Sequence, residues 1–402
     1  MRMTCMTALA LCAASPAYAA THEVAAGDGA AERLQEALIM SEPGDEVVLG
    51  PGRFELEDGL SLDVDGVTVR GAGMNATVLD FTGQKGAGEG LLVTSDNVTL
   101  RDFAIENPQG DGIKSKDADG IVYQRVRVTW TDGPKSTNGA YGIYPVESTG
   151  VLIEGCEVSG ASDAGIYVGQ SEKITVRNSI ARENVAGIEI ENSRDAIVER
   201  NLATGNTGGI LVFDLPNLPK MGGGNVVVRE NLVSSNTTAN FAPKGNIVGG
   251  VPRGTGIMVM ANEKVWVANN MIADNPTAGI VVVTYTKPFD DPRYNPYPRD
   301  VVIGPNLAHG NGKDPDLPGI APVVQAFGGK LPTLLWDGLT QDANTPALYA
   351  AAGTPGWSLN LTKQGQSVAD ANPGPLNVPS ADNPVDMGDI GAPASLEARL
   401  AT

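Results

Sequence analysis

Residues 140–206 read AYGIYPVESTGVLIEGCEVSG at 140–160, DAGIYVGQSEKITVRNSIARENV at 163–185 and AGIEIENSRDAIVERNLATGN at 186–206. Each segment begins with Gly-Ile and a short alternating apolar run, and a second β-branched run follows. Gly142, Gly165, Gly187 and Gly209 stand 23, 22 and 22 residues apart. A fixed period of this length, with strand-like alternation between the glycines, is typical of stacked β-coils. The stretch therefore predicts an all-β chain.

The same pattern extends in both directions along the chain. Gly-Ile recurs at 112, 142, 165, 187, 209, 256 and 279, and the last strand signature is VVI at 301–303. We therefore predict a single-stranded parallel β-helix over residues 51–312. Three insertions interrupt it, at 215–224, 237–253 and 286–300. Insertions into coils of this kind often emerge on one face, which is commonly the binding face.

Two columns of asparagine follow the coil period. The first holds Asn201, Asn231, Asn270 and Asn306, and the second holds Asn184, Asn206, Asn236, Asn275 and Asn311. Stacked amides one coil apart can hydrogen-bond along the axis, and buried amides need such partners. We predict two structural asparagine ladders. Cys156 occupies the register of the first column, which favours a buried small residue over a nucleophile.

The two ends of the chain lack this period. Residues 1–19 have the pattern of an export signal, with Arg2, an apolar run at 8–14 and the cleavage site Ala17-Tyr18-Ala19. Lipoprotein processing at Cys12 is the alternative. Residues 20–50 predict an N-terminal cap that contains a short amphipathic helix at 28–40. Residues 313–402, rich in Pro, Gly, Asn and Ala, predict a non-repetitive C-terminal wrap or tail.

Composition limits the partners and the compartment. The formal net charge is −19, which argues against nucleic acid or an anionic membrane as a general partner. No run of 18 apolar residues follows the signal, so we predict no membrane span. Removal of the signal would leave Cys156 alone, without an intrachain disulfide. These features predict a periplasmic or secreted protein.

One outward-facing stripe holds the candidate site. If each Ile after Gly points into the core, the next residue points outward. That column reads Lys114, Tyr144, Tyr167, Glu189, Leu211, Met258 and Val281, and a parallel column two residues on includes Lys116, Val146, Gly169, Glu191, Phe213, Met260 and Val283. One half is polar and aromatic, and the other is apolar. We expect the inserted loops to cover the apolar half and to form the wall of a groove on the polar half.

The coils resemble those of the right-handed parallel β-helix superfamily, which includes pectate lyases, polygalacturonases and alginate epimerases. The closest local similarity is to mannuronan C5-epimerases, whose Tyr-Gly-apolar-Asp-Pro-His segment follows a coil with a lysine. Here the segment is Tyr141-Gly142-Ile143-Tyr144-Pro145-Val146, and Lys114 lies one coil earlier. The acidic and histidine positions hold Tyr144 and Val146. The two histidines of the chain, His22 and His309, lie outside the stripe.

The resemblance implies binding of an anionic polysaccharide and, in one hypothesis, lyase or epimerase chemistry. Lys114 would then be the base or charge stabiliser and Tyr141 or Tyr144 the acid. Lys116, Tyr167, Glu189 and Glu191 would contact the substrate.

Two alternatives concern the carboxylates. Glu189 and Glu191 could also form a hydrolytic pair or a Ca²⁺ ligand set. Asp117 and Asp119 could bind Ca²⁺, although an ordinary corner is favoured there. No cofactor or metal is assigned with certainty.

The whole-chain pattern, with its export signal, the coil KSKDADG at 114–120 and the Pro-rich tail, also resembles a group of exported β-helix proteins. Those proteins tend to be encoded beside a second exported protein similar to a c-type cytochrome. This resemblance implies the alternative function, a non-catalytic carbohydrate-binding or accessory protein that works with such a partner. The chain has no C-x-x-C-H segment, so it does not bind haem covalently itself.

Overall fold

The structure, a computed structural model, describes residues 19–86, 88–342, 344, 346–381 and 387–401. The signal predicted at 1–19 lies, except for its last residue, outside the described residues. Short strands stack into a 12-stranded sheet and a 20-stranded sheet that surround one apolar core. The 12-stranded sheet is called sheet 1 here, and the two parallel ladders of the larger one are called sheets 2 and 3. The predicted all-β class and single-stranded parallel β-helix are confirmed.

Sheet 1 carries the Gly-Ile repeats, and its strands pair in the order of the coils. Its parallel strands are Leu60–Leu62, Leu91–Val93, Ile113–Lys116, Tyr141–Val146, Ala164–Gly169, Ala186–Glu191, Gly208–Phe213, Thr255–Met260, Ala278–Val283, Leu334–Trp336 and Gly356–Ser358. Gly374–Pro375 closes the sheet as an antiparallel strand.

Sheets 2 and 3 carry the second and third strands of each coil, and Thr99–Glu106 and Ile121–Thr129 run through both. The other strands of sheet 2 are Thr21–Val24, Glu46–Leu49, Thr68–Arg70, Thr149–Glu154, Glu172–Arg177, Arg194–Glu199, Gly224–Arg229, Glu263–Ala268, Val301–Ile303 and Leu348–Ala350. The other strands of sheet 3 are Gly52–Glu55, Thr77–Asp80, Glu157–Ser159, Ile180–Arg182, Leu202–Thr204, Leu232–Ser234, Met271–Ala273 and Leu307–His309.

Helices lie only at the ends and in loops of the described chain. Helix α1 (Ala30–Met40) seals the first coil by burying Leu34 and Leu38. The others are α2 (Ala321–Ala326), α3 (Ala394–Ala398) and the 3₁₀ turns Ile247–Gly250, Val368–Asp370 and Arg399–Ala401. The parallel stack begins at Thr21 and reaches Ser358, so it extends past the predicted limits of 51 and 312 at both ends.

The glycines of the repeat are required by close packing between coils. A Cβ on Gly142 would lie 2.2 Å from Cγ1 of Val158 and 2.7 Å from the carbonyl oxygen of Gly165. The isoleucine that follows each glycine points into the core, and Ile143, Ile166 and Ile188 are fully buried. This arrangement fixes which side chains of sheet 1 face outward.

Both predicted asparagine ladders are confirmed. Asn231 Nδ2 donates to Asn270 Oδ1 at 3.0 Å, and Asn201 Nδ2 donates to Asn231 Oδ1 at 3.0 Å. The second ladder repeats this contact from Asn184 to Asn311. Cys156 is buried, and burial raises the pKa of its thiol to about 12, so a thiolate nucleophile is disfavoured.

The described C-terminal residues 387–401 run back along the outer face of sheet 2. Leu396 is buried against Val122 and Leu152, and Arg177 pairs with Glu397 at 2.6 Å. Arg399 donates to the carbonyl oxygen of Gly120 at 2.6 Å. This segment therefore ties the last residues of the chain to its early coils.

Candidate functional site

Residues of the outward column of sheet 1 pair with one another on neighbouring strands, as predicted. Lys114 pairs with Tyr144, Tyr167 pairs with Glu189, and Glu189 pairs with Leu211. In the second column Gly169 pairs with Glu191 and Glu191 with Phe213. The strand period thus brings Tyr144, Tyr167, Glu189 and Glu191 onto one surface.

Three tyrosines form a cluster on this surface. The ring centroids of Tyr141 and Tyr144 lie 4.5 Å apart, those of Tyr141 and Tyr167 lie 4.5 Å apart, and those of Tyr144 and Tyr167 lie 4.9 Å apart. Burial raises the pKa of Tyr144 to about 12, and it raises the pKa of Tyr141 and Tyr167 as well. All three phenols are therefore proton donors at neutral pH.

Gly169 allows the Tyr167 ring to lie along the strand. A Cβ at Gly169 would lie 2.3 Å from the Tyr167 hydroxyl oxygen. The ring thereby reaches Glu191, and a hydrogen bond between the Tyr167 hydroxyl and Glu191 lowers the pKa of that carboxyl. Burial outweighs this contact and raises the pKa of Glu191 to about 7.

Three buried carboxyl groups lie beside the tyrosines. Glu189 is 2% exposed, and burial raises its pKa well above the usual value. Its Oε1 accepts no hydrogen bond from any described residue. Asp163, in the corner before Gly165, has a pKa raised to about 7, first by burial and then by the charge of Glu191. The pKa of Glu189 is therefore shifted toward the protonated form, whereas Asp163 and Glu191 have pKa values near neutral pH.

Lys114 and Lys116 have different surroundings. Lys114 Nζ lies 3.3 Å from Glu89 Oε1 and 5.1 Å from the centroid of the Tyr144 ring. Lys116 is exposed at the end of its strand, and neither lysine is among the residues that line the cavity described below. The structure thus places Lys114 next to the tyrosine cluster and Lys116 outside it.

The inserted loops roof the apolar half of the stripe, as expected. Val248 and Val251 from the second loop and Tyr294 from the third pack in one cluster with Leu211 and Phe213. Tyr294 donates its hydroxyl proton to the carbonyl oxygen of Asp214 at 2.7 Å. A cavity of about 540 Å³ remains between these loops and the tyrosine–carboxyl surface. This volume lies in the range of small-molecule binding sites.

Sequence reasoning missed several residues at the cavity. Asp163, Gln170, Asn246 and Lys287 line it, and Asn246 Nδ2 donates to Asp163 Oδ2 at 3.3 Å. Asp163 and Gln170 lie in corners and the other two in loops, where the coil period gives no register. The one sequence signal for Asp163 is that it directly precedes the strand Ala164–Gly169.

Other candidates from the sequence are structural. Asp119 Oδ1 accepts a hydrogen bond from the backbone N–H of Thr149 at 2.6 Å, and Asp117 has φ 51°. Residues 117–120, DADG, therefore form a corner of the coil. His22 contacts Asp45 at 3.0 Å near the N-terminus, away from the stripe. In the part of the chain that the structure describes, no three His, Cys, Asp or Glu side chains converge as a metal-binding group. Likewise, no described helix is long and apolar enough to cross a membrane.

Comparison with known families supports the fold. The family described as Right handed beta helix region matches residues 65–217 and 126–292, which together span more than half of the chain. The pre-neck appendage protein of Bacillus phage B103 is 24% identical over 233 residues, 48% of this chain and 27% of that protein. The chain therefore spans about a quarter of that relative's length.

Two solved structures are similar over most of the chain. The A-module of Azotobacter vinelandii mannuronan C-5 epimerase AlgE4 superposes with a TM-score of 0.55 and 15% identity, covering 82% of this chain and 94% of that one. The A-module of Azotobacter vinelandii mannuronan C-5 epimerase AlgE6 gives 0.51 and 17%, with 82% and 87% covered. At these identities the similarity shows the fold alone.

Proposed function

This chain belongs to the right-handed β-helix family, and we propose that it binds a carbohydrate chain in the cavity on sheet 1. The main support for this proposal is the state of Glu189. Its buried carboxyl lines the cavity, and its Oε1 has no hydrogen-bond partner among the described residues. A buried polar atom without a partner costs about 1–3 kcal/mol, so it favours an occupant with hydroxyl groups. The two solved structures of similar fold are modules of mannuronan C-5 epimerases, which is consistent with this proposal.

The tyrosine cluster supports the same class of ligand. Tyr141, Tyr144 and Tyr167 present apolar ring surface together with hydroxyl groups, and all three line the cavity. Sugars carry C–H faces and hydroxyl edges, which such rings can contact by packing and by hydrogen bonds. We propose that the rings pack against the sugar while Glu189 and Glu191 bind its hydroxyls.

We propose more specifically that the ligand is an anionic polysaccharide. Its binding should then depend on pH. The carboxyls of Asp163 and Glu191, with pKa values of about 7, would repel a uronate when ionised. Protonation below pH 7 removes that repulsion, and Lys114 next to the cluster would attract the sugar carboxylate. A uronate polymer is therefore expected to bind more tightly at pH 5 than at pH 8.

The carboxyl pair also favours a second candidate, acid–base cleavage of a glycosidic bond. Glu189 and Glu191 lie two residues apart on one strand face, and both pKa values are raised by burial, with Glu189 the more strongly buried. A protonated Glu189 could donate to the glycosidic oxygen, and an ionised Glu191 could accept a proton from water.

Lyase or epimerase chemistry would need a proton donor, a cation beside the uronate carboxylate and a separate base. The raised pKa of Tyr144 makes its phenol a proton donor, and Lys114 is paired with Glu89. Under this chemistry we propose Tyr141 or Tyr144 as the acid, Lys114 as the cation that neutralises the uronate carboxylate, and Glu191 as the base.

The binding proposal can be tested on arrays of neutral and uronate polysaccharides at pH 5 and pH 8. The intact protein should bind at least one class, and Glu189→Ala should weaken that binding about tenfold, the equivalent of about 1.4 kcal/mol. Glu172→Ala, at an exposed position of sheet 2, is the matched control and should bind as the unaltered chain does.

Absence of carbohydrate binding in every class, or equal affinity of Glu189→Ala and the unaltered chain, would contradict the proposal.

The second candidate function, cleavage of a glycosidic bond, is tested by measuring the reaction products. Glu189→Gln keeps the size of the side chain and should still bind, but it should release no shortened products by chromatography. Export is also part of the proposal, because a polysaccharide ligand would be met outside the cytoplasm.

A further inference from the structure

The cavity on sheet 1 extends beyond the tyrosines and the carboxyls. Along the stack, Glu191 pairs with Phe213 on the next strand, and Phe213 pairs with Met260 on the strand after that. All three side chains line the same cavity, as do Tyr144 and Glu189. The lining beyond Glu191 is mostly apolar, and we call it the apolar half of the cavity. Its side chains include Leu211, Phe213, Met258 and Met260 from the strands and Val248 and Val251 from the second loop.

The second loop presents side chains to the apolar half, because its carbonyl groups are bonded within the loop. Asn240 Nδ2 donates to the carbonyl oxygen of Val248 and to that of Val251, in both cases at 3.0 Å. The backbone N–H of Val251 also donates to the carbonyl oxygen of Val248, at 2.9 Å. A sugar hydroxyl buried here would therefore face mainly carbon and sulfur atoms, and burial without a hydrogen bond is unfavourable.

A hydrocarbon group suits the apolar half better than a sugar does. Protein interiors contain few voids larger than a water molecule, yet about 540 Å³ stays open between the loops and the strands over both halves of the cavity. Apolar cavities are poorly hydrated and bind apolar molecules. The adjoining tyrosines and glutamates offer hydrogen-bonding groups instead. One continuous cavity with these two linings matches a ligand that has a polar part and an apolar part.

Resting on the proposed carbohydrate function, we propose that the ligand is a carbohydrate in which one sugar carries a hydrocarbon group. The sugar lies at Glu189 and Glu191, and the hydrocarbon group lies over Phe213 and Met260. Neighbouring strands are ~4.8 Å apart, so the two strands beyond Glu191 accommodate a group on the order of 10 Å long. An acyl chain esterified to a sugar hydroxyl and an alkyl chain at the end of the carbohydrate share this chemistry.

The test measures the affinity of the intact protein for small glycosides at pH 5 by titration calorimetry. The probes are methyl glucuronide, hexyl glucuronide, a hexanoyl ester of methyl glucuronide, the corresponding glucosides, and hexanol as the hydrocarbon alone. Each methylene removed from water strengthens binding by about fourfold. Burial of even part of the six-carbon chain should therefore strengthen binding at least about tenfold over the methyl glycoside. It should also make the heat-capacity change of binding more negative.

Two variants on facing sides of the apolar half locate the hydrocarbon group. Met258→Gln on the strand and Val251→Thr on the loop each add a polar group with little change in size, and both should lower the ratio of hexyl to methyl affinity severalfold. Met271→Gln makes the same change at a methionine on sheet 3 that is 42% exposed, and it should leave this ratio unchanged.

The outcomes separate this inference from the function on which it rests. A gain with the hexyl glycoside or with the hexanoyl ester supports the inference, and the probe with the larger gain identifies an alkyl or an acyl source. Equal affinity for methyl and six-carbon probes, with polysaccharides still bound on the arrays, would overturn the inference alone. The inference also fails if both variants keep the ratio of the unaltered chain. If hexanol binds as tightly as the hexyl glycosides, or if neither glycosides nor polysaccharides bind, the proposed function fails with it.

Discussion

Replacement of Glu191 by Gln should stabilise the protein at alkaline pH and leave its stability at acid pH unchanged. Burial raises the pKa of Glu191 from 4.5 to about 7 in the folded chain. The folded state therefore holds this proton more tightly than the unfolded state, and stability falls as pH rises from about 4.5 to about 7. At 1.36 kcal/mol for each pH unit, the loss is about 3 kcal/mol. Gln is neutral at every pH and has no such loss.

The measurement is urea unfolding of Glu191→Gln and the unaltered chain at pH 4, 6 and 8. We expect the variant to gain about 3 kcal/mol relative to the unaltered chain between pH 4 and pH 8, with most of the change between pH 5 and 7. Glu172→Gln, the same substitution at an exposed strand position, is the matched control. A constant offset between Glu191→Gln and the unaltered chain at all three pH values would refute the reasoning.

The remaining predictions concern the scaffold. Asn231→Ala removes amide hydrogen bonds to both neighbouring coils and to a backbone carbonyl. It should therefore lower the free energy of unfolding, measured in urea, by roughly 3–5 kcal/mol. Asn372→Ala, at an exposed position, is the control and should change this free energy little. Leu396→Ala should cost about 2–4 kcal/mol and speed proteolysis of the C-terminal segment, because Leu396 is buried on sheet 2. Exposed Leu307→Ala should leave the proteolysis rate unchanged.

Sequence periodicity predicted the outward register of sheet 1 correctly. The position of each residue in the coil fixes its face, so Tyr144, Tyr167, Glu189 and Glu191 could be placed on one outward surface before any coordinates. The same reasoning predicted the asparagine ladders and the core position of Cys156. It could not place Lys116 outside the cavity, because the end of the strand and the extent of the roof do not follow the repeat.

Tertiary structure decided what the period does not encode. Asp163, Asn246 and Lys287 reach the cavity from corners and loops, whose paths depend on contacts between residues far apart in sequence, such as Asn246 with Asp163. The sequence period also did not predict the first and last coils. Strands such as Thr21–Val24 and Leu348–Ala350 lack the Gly-Ile and asparagine signals and are held by backbone pairing with their neighbours.

The sequence by itself determined the coil, its pitch and which side chains face outward, because these depend on local alternation and on close approach at glycine. Only the tertiary structure decided that the loops cover part of the outward face and leave a cavity there. Three loops must meet over Leu211 and Phe213 to bury Glu189 and Glu191, and that burial is what raises the pKa of both carboxyls. The chemistry proposed for the site thus depends on packing between distant segments and not on residue identity alone.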